Sequence, residues 1–199
     1  MLAILFWIYS FSSMTTIIET ERLILRTWKT EDAEAYFQIN QDPKVTEFLR
    51  GPLTMEQVKD FIIAVNSHQD KHGYTLWAAC LKESAQFMRF IGLQYIDYGL
   101  HFTPAVEVGW RLGSQYWGKG YATEGARAAV DHGFQRCGLK EIVSFTVPMN
   151  LRSIRVMEKI GLKRDFNGDF SNPKVPLGHP LSHSILYRLP LDAYLKGPL

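Results

Sequence analysis

The chain has 199 residues, 46% hydrophobic, 13% aromatic and 21% charged, a balance that excludes a disordered or collagen-like polymer and fits one ordinary core. Its 22 basic and 20 acidic residues leave a net charge of +2, too even to suggest a nucleic-acid or membrane surface, so an anionic ligand must be met by a local feature. Cys80 and Cys137 sit in apolar surroundings with no CxxC pair, and the six histidines form no ligand cluster; reduced, buried thiols and no metal are expected.

Residues 1–13 carry an apolar run, Leu2 to Tyr9, shorter than the roughly 20 residues that cross a bilayer. No Lys or Arg precedes Arg22, so a secretion signal is not expected and a cytoplasmic protein is. This stretch is set apart as an extension, and residues 14–199 are expected to form a single domain.

Ile17 to Thr27 alternates Leu23 and Leu25 with more polar positions and predicts a first strand. A helix is expected from Thr30, with Glu31, Asp32 and Glu34 near its positive end, interrupted by Pro43. Thr54 and Gln57 form a capping box for a second helix ending near His68, with Gly73 closing the segment. Tyr74 to Leu81 and Phe87 to Tyr98 predict a hairpin across Lys82, Glu83 and Ser84, and Ala105 to Leu112 a further strand. Tyr121 to Gln135 places Ala122, Ala126, Ala129 and Gly133 at helical spacing, a small-residue stripe suited to close packing on a sheet. Glu141 to Val147 follows as a strand, Arg152 to Ile160 as a helix stopped by Gly161, and Ser182 to Leu189 as a last strand. Asn167 to Pro180, rich in Gly and Pro, predicts a long loop of the kind that is often functional.

The most informative stretch is Gly113-Ser-Gln-Tyr-Trp-Gly-Lys-Gly-Tyr-Ala122, between a strand and a helix. Gly113, Gly118 and Lys119 match the nucleotide pattern GxxxxGK, but Gly120 stands where that motif needs Ser or Thr for magnesium. A dinucleotide fingerprint fails as well, because Thr123 occupies the place of its third glycine. What remains is a turn of little bulk running into a helix start, where free N–H groups and the helix dipole converge on one spot suited to a pyrophosphate. The bland alternative is a tight turn whose glycines serve conformation only.

Gln115-x-x-Gly118-x-Gly120-x-Ala122 resembles the acetyl-CoA signature of the GCN5-related N-acetyltransferases. Glu21-Arg22-Leu23-Ile24-Leu25-Arg26 resembles the opening strand of their RimJ/RimL-like branch, Val106-Glu107-Val108-Gly109-Trp110 the central strand, and Asn150 to Leu162 the second cofactor motif. Together with His179 to Tyr187 the likeness spans Ile17 to Leu189 in order. It implies an α/β fold with a mixed, mostly antiparallel sheet of six to seven strands, splayed at the centre and flanked by about four helices. It also implies acetyl-CoA as co-substrate, without a metal, and transfer of the acetyl group to a primary amine.

For the co-substrate the resemblance implies backbone contacts from Gly118, Lys119, Gly120, Tyr121 and Ala122, with Gln115, Asn150 and Ser153 also in contact. Val108 or Gly109 would polarise the thioester through a backbone N–H if Gly109 carries a bulge. Glu107 is the candidate base, with a structural carboxylate as the competing reading. Many relatives carry tyrosine where this chain has Met157, so Ser153 is the candidate acid, with Tyr116 and Tyr187 as alternatives. Arg152 and Arg155 either reach phosphates or are solvated, and His183 is either cleft-lining or a satisfied sheet residue. Trp28, Phe48, Trp77 and Trp117 are expected in core or cleft wall.

A protein N-terminal α-amine suits a modest site, because its pKa near 8 leaves more of it neutral at pH 7 than a lysine near 10.4. A small polycationic amine is the alternative and would favour Asp42, Glu47 and Asp70 beside the cleft. A CoA-binding module without catalysis is a third reading, for which Met157 is the support. The family also includes homodimers.

Overall fold

The computed structural model describes residues 15–176 and 178–197, so the extension expected at 1–13 lies outside the described residues. The stretch from Ile17 to Thr27, expected as one strand, forms two: β1 (Thr16–Glu19) and β2 (Leu23–Arg26), paired antiparallel. Thr20 makes the break. Its N–H donates to Leu23 O at 2.9 Å and its hydroxyl accepts from Leu23 N at 2.9 Å, a local turn that competes with a continuous strand.

Helix α1 (Asp32–Asn40) begins two residues after the expected Thr30, because Asp32 rather than Thr30 organises its entry. The Asp32 carboxylate accepts two bonds from the Arg26 guanidinium, both at 2.7 Å, and one from Lys29 N at 2.8 Å. Pro43 does more than interrupt: it opens a short helix, α2 (Pro43–Thr46), whose N-cap Asp42 accepts from Lys44 N. The capping box at Thr54 and Gln57 starts α3 (Met55–His72), which passes His68 by a full turn and stops at Gly73, left-handed with φ 77°.

The hairpin forms as expected from β3 (Leu76–Leu81) and β4 (Phe87–Ile96), and β5 (Ala105–Leu112) adds antiparallel to it. There follow α4 (Tyr121–Gln135), β6 (Glu141–Thr146), α5 (Leu151–Lys159), β7 (Lys163–Ser171), β8 (His183–Pro190) and a short α6 (Leu191–Leu195). The sheet order is β1-β2-β3-β4-β5-β6-β8-β7, antiparallel everywhere except β5 beside β6.

The mixed α/β architecture is as expected, but the sheet has eight strands instead of six to seven, and six helices flank it instead of about four. The split at Thr20 supplies one extra strand and β7 another, taking residues 167–171 out of the predicted loop. β7 is an edge strand, exposed along most of its length, so its sequence KRDFNGDFS lacks the apolar alternation that marks a strand with a buried face.

One core cluster joins β2, β4, β5, β6 and β8 to α4 and α5 through residues such as Leu23, Ile91, Val108, Ala126 and Met157. Gly125 brings α4 close to β4: a Cβ there would lie 2.5 Å from Ile91 Cδ1 and 3.1 Å from Leu23 Cδ1, so those side chains would have to shift to admit one. A second cluster, around Trp28, Tyr36, Val58, Ile62 and Phe90, packs α1 and α3 on the opposite face. Trp28 is fully buried, with its indole N–H donating to Leu76 O at 2.7 Å.

The decisive feature lies mid-sheet. β4 and β5 stay in register from Arg89 opposite Leu112 to Ile96 opposite Ala105, whereas β5 and β6 meet in register only at Glu107 opposite Val143. The sheet therefore splays between its two halves, and a cleft opens there.

Candidate functional site

The cleft encloses about 650 Å³, a volume suited to a small-molecule ligand. One wall is the turn from Gly113 to Gly120. A single 3-10 turn over Ser114–Tyr116 is pinned by the Trp117 indole N–H, which donates to Leu112 O at 2.9 Å. Gly118 and Gly120 then take φ of 74° and 83°, left-handed values that side chains disfavour. Gly120 is the N-cap of α4 and offers no side-chain cap. Among the described residues, the N–H groups of residues 118–123 find no acceptor, and Gly118, Gly120, Tyr121, Ala122 and Thr123 line the cleft. The conformation thus presents a row of unsatisfied donors and a positive helix end to a ligand.

A clamp that the sequence reading missed holds this turn. The Glu124 carboxylate accepts from the Thr20 hydroxyl at 2.6 Å, Arg22 N at 2.9 Å and Arg22 Nε at 2.6 Å. The Arg22 guanidinium also donates to Lys119 O at 3.1 Å and lies 4.7 Å from the Tyr121 ring centroid. Burial alone would raise the Glu124 pKa, but the hydrogen bonds from Thr20 and Arg22 hold it below its ordinary value. Glu124 in a helix's first turn was legible as dipole complementation; its partner more than a hundred residues upstream was not.

Across the cleft, Asn150 caps α5 by accepting from Ser153 N at 3.2 Å, and its amide donates to Thr146 Oγ1 and to Ser153 Oγ, each at 3.0 Å. Since Ser153 Oγ accepts a hydrogen bond from the Asn150 amide, its own hydroxyl proton remains available to the cleft that both residues line. Met157, one turn further, is fully buried in the core and does not line the cleft. Tyr116 lines the cleft, with its hydroxyl donating to Phe87 O at 3.3 Å; Tyr187 is core and lies outside the lining.

Glu107 lies on the β5 face that looks toward α1 and α3, together with Gly109 and Arg111, and opposite Gln94, Gly92 and Phe90 of β4. It lines the deep part of the cleft, where burial pushes its pKa up to about 7 against the opposing pull of Lys174 and Arg111. Gly109 also lines the cleft. A Cβ at Gly109 would meet only the Leu76 side chain, at 3.5 Å, so bareness there keeps the floor open without being needed for packing.

Several expectations are corrected. No bulge occurs at Gly109: the β4–β5 register passes through it unbroken, and the loss of β5–β6 pairing opens the strand instead. The Val108 side chain is fully buried in the core, which leaves the backbone role expected of it untouched. Gln115 is exposed and, like Lys119, absent from the lining, its side chain folding back over Gly113. His183 is neither cleft wall nor satisfied interior residue: it is exposed at the start of β8, 3.4 Å from an Asp169 carboxylate oxygen. Arg152 is not freely solvated. It pairs with Glu47 across the cleft mouth, with its guanidinium 4.5 Å from the Trp117 ring centroid, while Arg155 lines the cleft.

The acidic residues considered for a polycationic acceptor do not gather in the cleft. Asp42 is held below its ordinary pKa by the Ser114 hydroxyl and Lys44 N–H, Glu47 is taken by Arg152, and Asp70 is exposed away from the lining. Lys44, Val45, Phe48, Leu49 and Arg50 also line the cleft, as do Asn172, Lys174 and Val175 of the loop before β8, and Arg50 meets that loop in a smaller adjoining pocket. No group of three or more metal-ligating side chains occurs among the described residues, and no helix among them is long and apolar enough to cross a membrane.

Residues 22–163 match the family model described as acetyltransferase (GNAT) domain. A Bacillus licheniformis protein named uncharacterized N-acetyltransferase p20 is 32% identical over 154 residues, covering 74% of this chain and 85% of its own length. The crystal structure of a GNAT-family acetyltransferase from Bacillus anthracis superposes with a TM-score of 0.72 at 27% identity, over 88% of this chain and 98% of that one. The fold is also similar, with a TM-score of 0.70 at 17% identity over 90% and 99% of the two chains, to RimL, a ribosomal L7/L12 alpha-N-protein acetyltransferase in complex with coenzyme A.

Proposed function

The chain belongs to the acetyltransferase (GNAT) domain family and is an N-acetyltransferase, and on that premise we propose that it uses acetyl-CoA to acetylate a primary α-amine in the splayed cleft. The observation that carries this reading is the unpartnered N–H row of residues 118–123, opening onto the same cleft as Glu107. Those donors fit a pyrophosphate, and the missing Ser or Thr at Gly120 disfavours a magnesium nucleotide. RimL, whose fold is similar, carries coenzyme A and acts on a protein α-amine, which supports both the co-substrate and a RimJ/RimL-like acceptor.

Bound acetyl-CoA would supply an activated acetyl group. Backbone N–H groups of Gly118 to Ala122 would hold its pyrophosphate, with Asn150 and Ser153 on the facing wall. Glu107, with a pKa near 7, is half ionised at neutral pH and would take the proton of an incoming ammonium, directly or through water. As the amine nitrogen bonds to the acetyl carbon and the C–S bond breaks, Ser153, with its hydroxyl proton uncommitted, would pass that proton to the departing sulfur and take in exchange the proton released by the acetylated nitrogen. Met157 is buried in the core and is not among the lining residues, which supports giving the acid's role to Ser153. We assign the chain to the cytoplasm and to amine-bearing partners, without nucleic acid, membrane or metal.

Titration calorimetry with acetyl-CoA and with magnesium-ATP tests the reading, together with thiol release in the presence of α-amines. A saturable heat with acetyl-CoA alone, and thiol released only when an amine is added, is the expected pair of results. Heat with magnesium-ATP and none with acetyl-CoA would sink it.

A further inference from the structure

The charge lining the cleft is one-sided. Seven Lys and Arg side chains face it, and Glu107 is the sole carboxylate among its described lining residues. Arg152, Arg155 and Lys159 lie on or beside α5, on the wall opposite the α4 turn. The remaining four are Lys44 on α2, whose N–H bonds the same Asp42 that holds Ser114 of the turn, and Arg50, Arg111 and Lys174; along β5, Arg111 stands on the turn side of Glu107 and Lys174, through Tyr98, on the far side.

Two of these stand out. Arg111 is half-buried on the same β5 face as Glu107, with its guanidinium 5.5 Å from the Phe90 ring centroid, and it meets no carboxylate within ion-pair distance among the described residues. Behind it, the fully buried Arg89 donates to Asn40 Oδ1 at 2.5 Å and lies 4.8 Å from the Tyr36 ring centroid, while its Nε and Nη1 find no partner. Burial and the nearby Arg111 push Arg89 down to about 9, a sign of uncompensated positive charge. Lys174, on the loop before β8, donates to the Tyr98 hydroxyl at 2.6 Å and is likewise without a carboxylate.

We infer that the acceptor is an anionic amine: its amine faces Glu107 while its own carboxylate or phosphate pairs with Arg111 and Lys174. The inference rests on the acetyl-transfer reading above and narrows its acceptor. A guanidinium partly out of water gains most from an oxyanion, which it grips through two parallel N–H bonds. A polycation would face Arg111 and Lys174 with one carboxylate to offset them, and like charges in a confined cleft are strongly disfavoured. An amino-carboxylate or amino-phosphate satisfies both ends of the site.

The experiment compares kcat/KM across matched acceptors: α-amino acids against their amides, phosphoethanolamine against ethanolamine, and spermidine. Peptides with acidic or neutral second residues form a further pair. The charged member of each pair is expected to be favoured at least about tenfold. Which pair shows the larger ratio tells carboxylate from phosphate, and a peptide preference would extend the same rule to protein N-termini. Arg111→Gln, and separately Lys174→Gln on the loop, should collapse the ratio while leaving acetyl-CoA affinity by calorimetry unchanged; Arg111→Lys should restore part of it. Equal use of acids and amides, preference for spermidine, a ratio indifferent to both variants, or no turnover of any anionic amine by protein that binds acetyl-CoA would overturn the inference alone. Failure to bind acetyl-CoA would instead remove the reading beneath it.

Discussion

The two walls of the cleft are built by different means. The wall we propose for the co-substrate is a single run of chain, residues 113–123, whose free groups are backbone N–H donors set by two left-handed glycines and a helix start. The wall we propose for the acceptor is assembled from side chains on separated pieces: Glu107 and Arg111 from β5, and Lys174 from the loop before β8. A backbone wall tolerates most side-chain changes and fails when its conformation fails. A side-chain wall loses its chemistry one group at a time.

That contrast can be broken most forcefully at Glu107. Glu107→Gln should lower kcat by about 10²–10⁴, the usual worth of a general base, with acetyl-CoA affinity unchanged in calorimetry. In the wild type kcat/KM should rise with pH through about 7, and the variant should lose that limb. The same substitution reads out in stability. The folded carboxyl keeps its proton to about 7, whereas the unfolded one releases it near 4.5, so between those values the folded state binds more protons and stability falls as pH rises. Urea melts at pH 5 and 8 should show the variant gaining on wild type, on the order of 1–3 kcal/mol, at the higher pH.

On the other wall the expected loss is in affinity. Gly120→Val forces a β-branched residue to φ 83° with its Cβ 3.4 Å from Arg22 Nη2, and should weaken acetyl-CoA binding about 100-fold by calorimetry. An unchanged affinity would mean that the turn holds no pyrophosphate. Ser153→Ala should lower kcat about tenfold with little change in affinity, a deficit that shrinks for thioesters with better leaving groups. Smallest is Glu124→Ala. Releasing the Arg22 clamp, a pair with one largely exposed partner, should cost about 1 kcal/mol in a thermal melt and a few-fold in acetyl-CoA affinity.

Legibility in the sequence divided along the same line. The hairpin, the capping box and α4 follow from local pattern, and the pyrophosphate turn was readable because its glycines, its length and the helix after it are contiguous. The strand break at Thr20 was missed because a side-chain turn overrode a strand-like alternation, and β7 because an edge strand needs no buried face. Glu107 was singled out by family likeness, but nothing near it in sequence says that it is the sole carboxylate lining the cleft among the described residues or that burial raises its pKa.

By itself, then, the sequence determined the family, the order of most elements and the wall made of backbone, because periodicity, capping and glycine conformation act over a few residues. Tertiary structure alone decided the splay between β5 and β6, the Arg22–Glu124 clamp and the gathering of cations along the cleft. Each of these depends on which strands or charges meet across distances of tens to a hundred residues along the chain. Burial and pairing of charge are properties of the folded surroundings, and no local run of residues encodes them.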